Sequence, residues 1–88
     1  MGAVLRVAQS ALKHGYSIEE ISHAYDNYVF EGTIDDGADP PKILTIGPDS
    51  AANLLELVGG RRPNGDHLIW HAMRCRRQYL ILVPDCGM

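Results

Sequence analysis

Cysteine is scarce in this chain: Cys75 and Cys86 are the only two, too few for the disulfide framework that staples small secreted domains. No segment resembles a secretory leader, and no apolar run approaches the roughly 20 residues needed to span a bilayer. A reducing, cytoplasmic setting without a membrane partner is therefore expected, with both cysteines held as thiols. Although the chain opens Met-Gly, Arg6 stands where a myristoylation signal carries Ser or Thr. Also missing are a Gly-rich phosphate loop, a Gly-x-Ser-x-Gly elbow and a His-Glu-x-x-His helix. These absences remove the commonest nucleotide-binding, serine-hydrolase and zinc-protease readings, and no cofactor is expected. There is no internal repeat, low-complexity tract or interdomain linker.

What is present fits one domain spanning 1–88, with the tail 80–88 read as flexible. The 88 residues, 45% hydrophobic and 22% charged, are those of a globular chain near the lower size at which an apolar core suffices. The net charge of −3 is unevenly spread. Residues 1–40 carry two basic against seven acidic side chains, and residues 41–88 carry six against four. Within 61–77 five arginines face only Asp66. Such a patch attracts phosphate or an acidic partner even on an acidic protein, because fields fall off within about 8 Å at physiological salt. A solvated charged face is the alternative use of the same residues.

The chain punctuates itself clearly. Val4, Val7, Ala8, Ala11 and Leu12 recur at helical spacing and predict a first helix ending at Gly15, where positive φ is needed; Val4–Val7 also fits a short strand. Ser17-Ile18-Glu19-Glu20 has the form of a capping box and starts a second helix with Ile18, Ile21 and Tyr25 on one stripe. Strands are predicted over Tyr28–Ile34, Lys42–Gly47, Asn53–Val58 and His67–Met73. The links are a turn at Asp35–Pro41, another at Gly47–Ala52 and a loop at Gly59–Asp66 with an Asn-Gly signal. Short links between strands imply an antiparallel meander. The expected fold is α+β, two N-terminal helices packed on a four-stranded antiparallel sheet.

The stretch Leu68–Tyr79 joins the densest apolar run to the densest positive charge. Alternation along the fourth strand puts His67, Ile69, His71 and Met73 on one face and Leu68, Trp70 and Ala72 on the other. Either Leu68, Trp70 and Ala72 are inside and both histidines share an outer surface with the arginines, or the faces are reversed and His71 is a buried, hydrogen-bonded residue. His67, His71 and Cys75 have the spacing of a zinc site on a helix, but a strand would spread them too far apart. No metal is assigned.

The order of motifs resembles the BrnT-type toxins of bacterial toxin–antitoxin pairs, which have a RelE/ParE-like fold. The matching residues are Lys13-His14-Gly15, the Ile18-Glu19-Glu20 helix start, Leu44-Thr45-Ile46-Gly47 and a closing strand that reaches Arg74. Departures are Ala72 and Met73 where the family has Ser and Ala before its Arg, and Leu80-Ile81-Leu82-Val83-Pro84 in place of a long charged final helix.

The resemblance, which covers about residues 5–79, implies a metal-independent endoribonuclease that inhibits translation and growth. A cognate antitoxin would neutralise it, with the toxin as a homodimer or in a heterotetramer with that antitoxin. Cleaving RNA through its own 2′-hydroxyl needs a base, an acid and cations, all of which side chains supply. Catalysis is expected of Arg74, His71, Lys13 and His14, and RNA binding of Arg76, Arg77 and Tyr79; Arg61 and Arg62, in the loop, are expected to matter much less. Two other classes use the same residues differently: a non-catalytic nucleic-acid-binding or regulatory module, and a ParE-like toxin that attacks a protein target.

Overall fold

The computed structural model describes residues 5–35, 37 and 41–83. Its elements are β1 (Leu5–Val7), a 3₁₀ turn (Gln9–Leu12), α1 (Ile18–Asp26), β2 (Phe30–Asp35), β3 (Lys42–Pro48), β4 (Leu54–Arg61), β5 (His67–Arg74) and α2 (Arg77–Leu80). The strands form one five-stranded sheet in the order β1-β5-β4-β3-β2. β2 through β5 are antiparallel neighbours, whereas β1 lies parallel to β5, with Leu5 opposite His67 and Val7 opposite Ile69.

This corrects the expected two N-terminal helices on a four-stranded antiparallel sheet. The apolar spacing of Val4–Leu12 fits helix and strand alike, and the free edge of β5 decides for strand at Leu5–Val7. Only Gln9–Leu12 stays helical, as a single tight turn, and the chain's second helix is the four-residue C-terminal α2. Gly15 then takes φ 92°, the left-handed conformation anticipated there.

The sheet is covered on both faces, so its central strands read as nearly continuous apolar runs. On one face Ile21 and Ala24 of α1 pack with Leu55, Leu57, Ile69 and Ala72, and Ala11 closes the end. On the other, Leu44, Ile46, Val58 and Cys75 are sealed by Val83, with Tyr79 and Leu80 against them. Each fully buried leucine or isoleucine contributes about 1.5–3 kcal/mol of transfer free energy. Leu80 and Val83 are therefore part of the second core, while Ile81 and Leu82 between them are exposed. Cys86 and most of the turn expected at Asp35–Pro41 lie outside the described residues.

At the start of α1, Ser17 Oγ accepts from the amide of Glu20 (3.2 Å). The reciprocal half of the capping box does not form, because the Glu20 carboxylate instead accepts from the amide of Ser50 (2.7 Å) and from its hydroxyl. That bond ties α1 to the β3–β4 turn and holds the Glu20 carboxyl below its usual range. Ser17→Ala should cost about 1 kcal/mol, a fall of about 4–8 °C in thermal midpoint for a domain of this size; an unchanged midpoint would contradict the cap.

Candidate nucleic-acid interface

The pairing of β4 with β5 slips by one residue: Val58 faces His71 and Gly59 faces Ile69, leaving Trp70 as the extra residue of a β-bulge. The consequence is a change of face. His67, Ile69 and Ala72 point toward α1, while Trp70 and His71, consecutive in sequence, both point to the other side. Neither sequence-based assignment of faces allowed for this, since both put His67 and His71 together. The bulge is built on Gly59, whose Cβ, if it had one, would stand 1.9 Å from the Leu68 carbonyl oxygen.

The face that takes His71 also takes Glu56, one residue inside the apolar run Leu54–Val58. Its side chain is fully buried, where a lone carboxylate would be costly, and it is satisfied by two neighbours. Arg76 donates to it from its backbone amide (2.9 Å), from Nε (3.1 Å) and from Nη2 (2.8 Å). His71 Nε2 lies 3.0 Å from Oε2. Burial pushes the Glu56 carboxyl up, but the bonds from Arg76 and then from His71 outweigh it and hold the group ionised below the usual carboxylate range. The same bonds push the Arg76 guanidinium up.

Two consequences follow for chemistry. An ionised carboxylate only accepts, so His71 must carry a proton on Nε2, and in the neutral imidazole its other nitrogen, Nδ1, keeps the lone pair. Nε and Nη2 of Arg76 are committed to Glu56, and among the described residues Nη1 has no protein acceptor. Tyr79 supports the guanidinium from below, its ring centre 5.4 Å from Cζ.

His71 and Arg76 border an open groove of about 420 Å³ that Ser10, Lys13, Lys42 and Trp70 also line. The 3₁₀ turn delivers Ser10 and Lys13 here because β1 stops at Val7 and the turn stands against the remaining edge of β5, where the Ser10 hydroxyl donates to the Trp70 carbonyl (2.7 Å). His14 follows, its ring edge-on to His71 at 5.8 Å. Lys13, His14, His71, Arg76 and Tyr79, separated widely in sequence, thus come together. Arg74 does not join them. Its cross-strand partner is Leu55, a residue of the α1-side core, and its Nη2 donates to Asn53 Oδ1 (3.1 Å). Arg77 is exposed at the start of α2. Sequence reasoning overlooked Glu56, Lys42 and Ser10; a lone charge inside Leu54–Val58 was the available signal for the first.

His67 is separate from this site. It is fully buried beneath α1, with Nδ1 3.0 Å from the Tyr25 hydroxyl, and among the described residues its Nε2 has no partner. Burial holds its pKa below the ordinary 6.5. The unfolded chain therefore binds a proton that the folded one refuses, and stability should fall as pH drops from about 6.5 through the lower folded value. Glu20, Asp49 and Glu56, all lowered from ordinary carboxylate values, act only in a more acidic window. Denaturant titrations across pH 7 to 5 should show this loss, and His67→Gln should remove it; an identical slope in the variant would exclude His67 as the source.

Among the described residues no helix is long and apolar enough to cross a membrane, and no group of three or more His, Cys, Asp or Glu side chains is placed to hold a metal ion. Comparison with known protein families, with curated proteins and with solved structures finds no match to this chain.

Proposed function

We propose that the groove bordered by His71 and Arg76 binds the phosphates of RNA and cleaves the chain, and that the protein is the toxin of a cytoplasmic toxin–antitoxin pair. The observation that carries this reading is the shared anchor. One buried carboxylate, Glu56, fixes both an imidazole and a guanidinium at the border of a groove that also receives two lysines. Positioning of this kind converts ordinary side chains into catalytic ones, since the reacting groups need no reorganisation.

The roles follow from the free atoms. Nδ1 of His71 takes the proton from a ribose 2′-hydroxyl, whose oxygen attacks the adjacent phosphorus while the 5′-oxygen leaves. His14, in its protonated form, returns a proton to that leaving oxygen. Lys13, Lys42 and Nη1 of Arg76 balance the charge that develops on the phosphoryl oxygens. The products are a 2′,3′-cyclic phosphate and a 5′-hydroxyl. No step uses a metal ion, so the reaction should proceed in EDTA. A cognate antitoxin would silence the protein by covering the groove with acidic side chains. Long RNA incubated with the purified protein in EDTA, with the new chain ends identified, tests the reading.

A further inference from the structure

We propose that a second depression, contiguous with the groove through Trp70, is the nucleobase subsite for a single-stranded RNA; this rests on the reading of the groove as an RNA site. The depression has a volume of about 490 Å³ and is lined by Pro41, Pro63, Leu68 and Trp70, with Arg61 and Arg62 also contributing. Trp70 lines both hollows, so one indole separates a cationic groove from an apolar one. That is the pattern of a nucleotide: a phosphate on one side and a flat, weakly polar ring on the other. The bulge makes the arrangement, because it sends Trp70 and His71 to the same face and so sets a stacking surface directly beside a proton acceptor.

Charge points the same way. Arg61 ends β4 and Arg62 follows it, and among the described residues neither has an ion-pair partner. Arg62 is placed to meet the next phosphate or to stack on the base, whereas Arg61, opposite His67, directs its charge to the α1 side. A duplex would keep its bases paired and out of reach, so the occupant is an unpaired base. Aromatic stacking of this kind tolerates any base; the subsite would therefore select single strands over duplexes more strongly than one sequence over another. Arg62 gains a part that a loop position did not suggest.

Trp70 is the only tryptophan of the chain, so its emission reports on this place alone. The probe is a short 2′-O-methyl oligoribonucleotide, which lacks the attacking hydroxyl and is not consumed; its control has the same backbone without bases. The expected result is quenching of Trp70 by the first and not the second, with the base-bearing oligomer bound at least about five-fold more tightly. Trp70→Phe should keep most of that preference. Because Trp70 also packs against the second core, Trp70→Ala is informative only if folded, and the wild-type measurement stands without it.

Tight binding weakened by Lys13→Ala and Lys42→Ala, but with unchanged emission and equal affinity for the base-free oligomer, would overturn the subsite while leaving the RNA reading intact. Quenching and base preference that persist when both lysines are removed would keep the subsite and overturn the phosphate groove. Emission that responds to an acidic peptide and to neither oligomer would overturn both.

Discussion

Arg76→Ala should lower the thermal midpoint by more than about 10 °C, far more than removal of any other arginine in the chain. The Arg76 side chain is nearly half exposed, so little of this arises from its own packing. The loss falls on Glu56, which is fully buried and would keep only the backbone amide of residue 76 and His71. Breaking a buried pair so that one charge is left behind costs about 3 kcal/mol or more, and for a domain of this size each kcal/mol is worth about 4–8 °C. The cause is separable from the site. Adding Glu56→Gln to Arg76→Ala should recover part of the lost stability, because the stranded charge disappears. A double variant no more stable than Arg76→Ala alone would show that the guanidinium acts through packing instead.

Gly59→Ala should be comparably damaging, for a reason that involves no charge. Its Cβ would lie 1.9 Å from the Leu68 carbonyl oxygen, 2.8 Å from the carbonyl carbon and 3.0 Å from Ile69 Cα. All three are backbone atoms of the adjoining strand, so no side chain can swing away to make room. The two strands must separate where the bulge turns Trp70 and His71 to one face. Overpacking that moves backbone costs about 3 kcal/mol at the upper end of the usual range. Denaturant unfolding gives the stability, and Trp70 emission reports whether the bulge has shifted. A Gly59→Ala protein with wild-type stability and emission would contradict the close approach.

How much of this was readable from the residues alone varies by element. The Ser17 start of α1 and the places of the last four strands follow from capping, turn residues and β-branched runs, because these signals are local. β1 was not readable: three residues, Leu-Arg-Val, satisfy either period, and their strand state depends on an edge sixty residues away. The bulge was hidden for a related reason, since strict alternation is the only rule a sequence offers, and one extra residue inverts it from His71 onward. Glu56 looks like the solvent-side charge of an alternating strand until a guanidinium is known to reach it. Arg74 and Arg76 would share a face of a continued strand. β5 ends at Arg74, however, and the amide of Arg76 is drawn to Glu56, so the two arginines go to opposite sides. Lys13 and His14, at the opposite end of the sequence from the arginines, reach the site only because the short β1 ends beside β5.

That separation of Arg74 from the groove gives the most direct measurement of the central claim: the rate at which a long RNA is cleaved in EDTA by the wild type, by His71→Gln, by Lys13→Ala with Lys42→Ala, and by Arg74→Ala. If the groove is the site, His71→Gln should bind RNA and leave it intact, and the paired lysine variant should lose both affinity and the steepness of its salt dependence. Arg74→Ala, on the far face of the sheet, should then cleave at close to the wild-type rate. Full cleavage by His71→Gln and by the paired lysine variant, together with loss in a folded Arg74→Ala protein, would place the chemistry on the other face and contradict the groove.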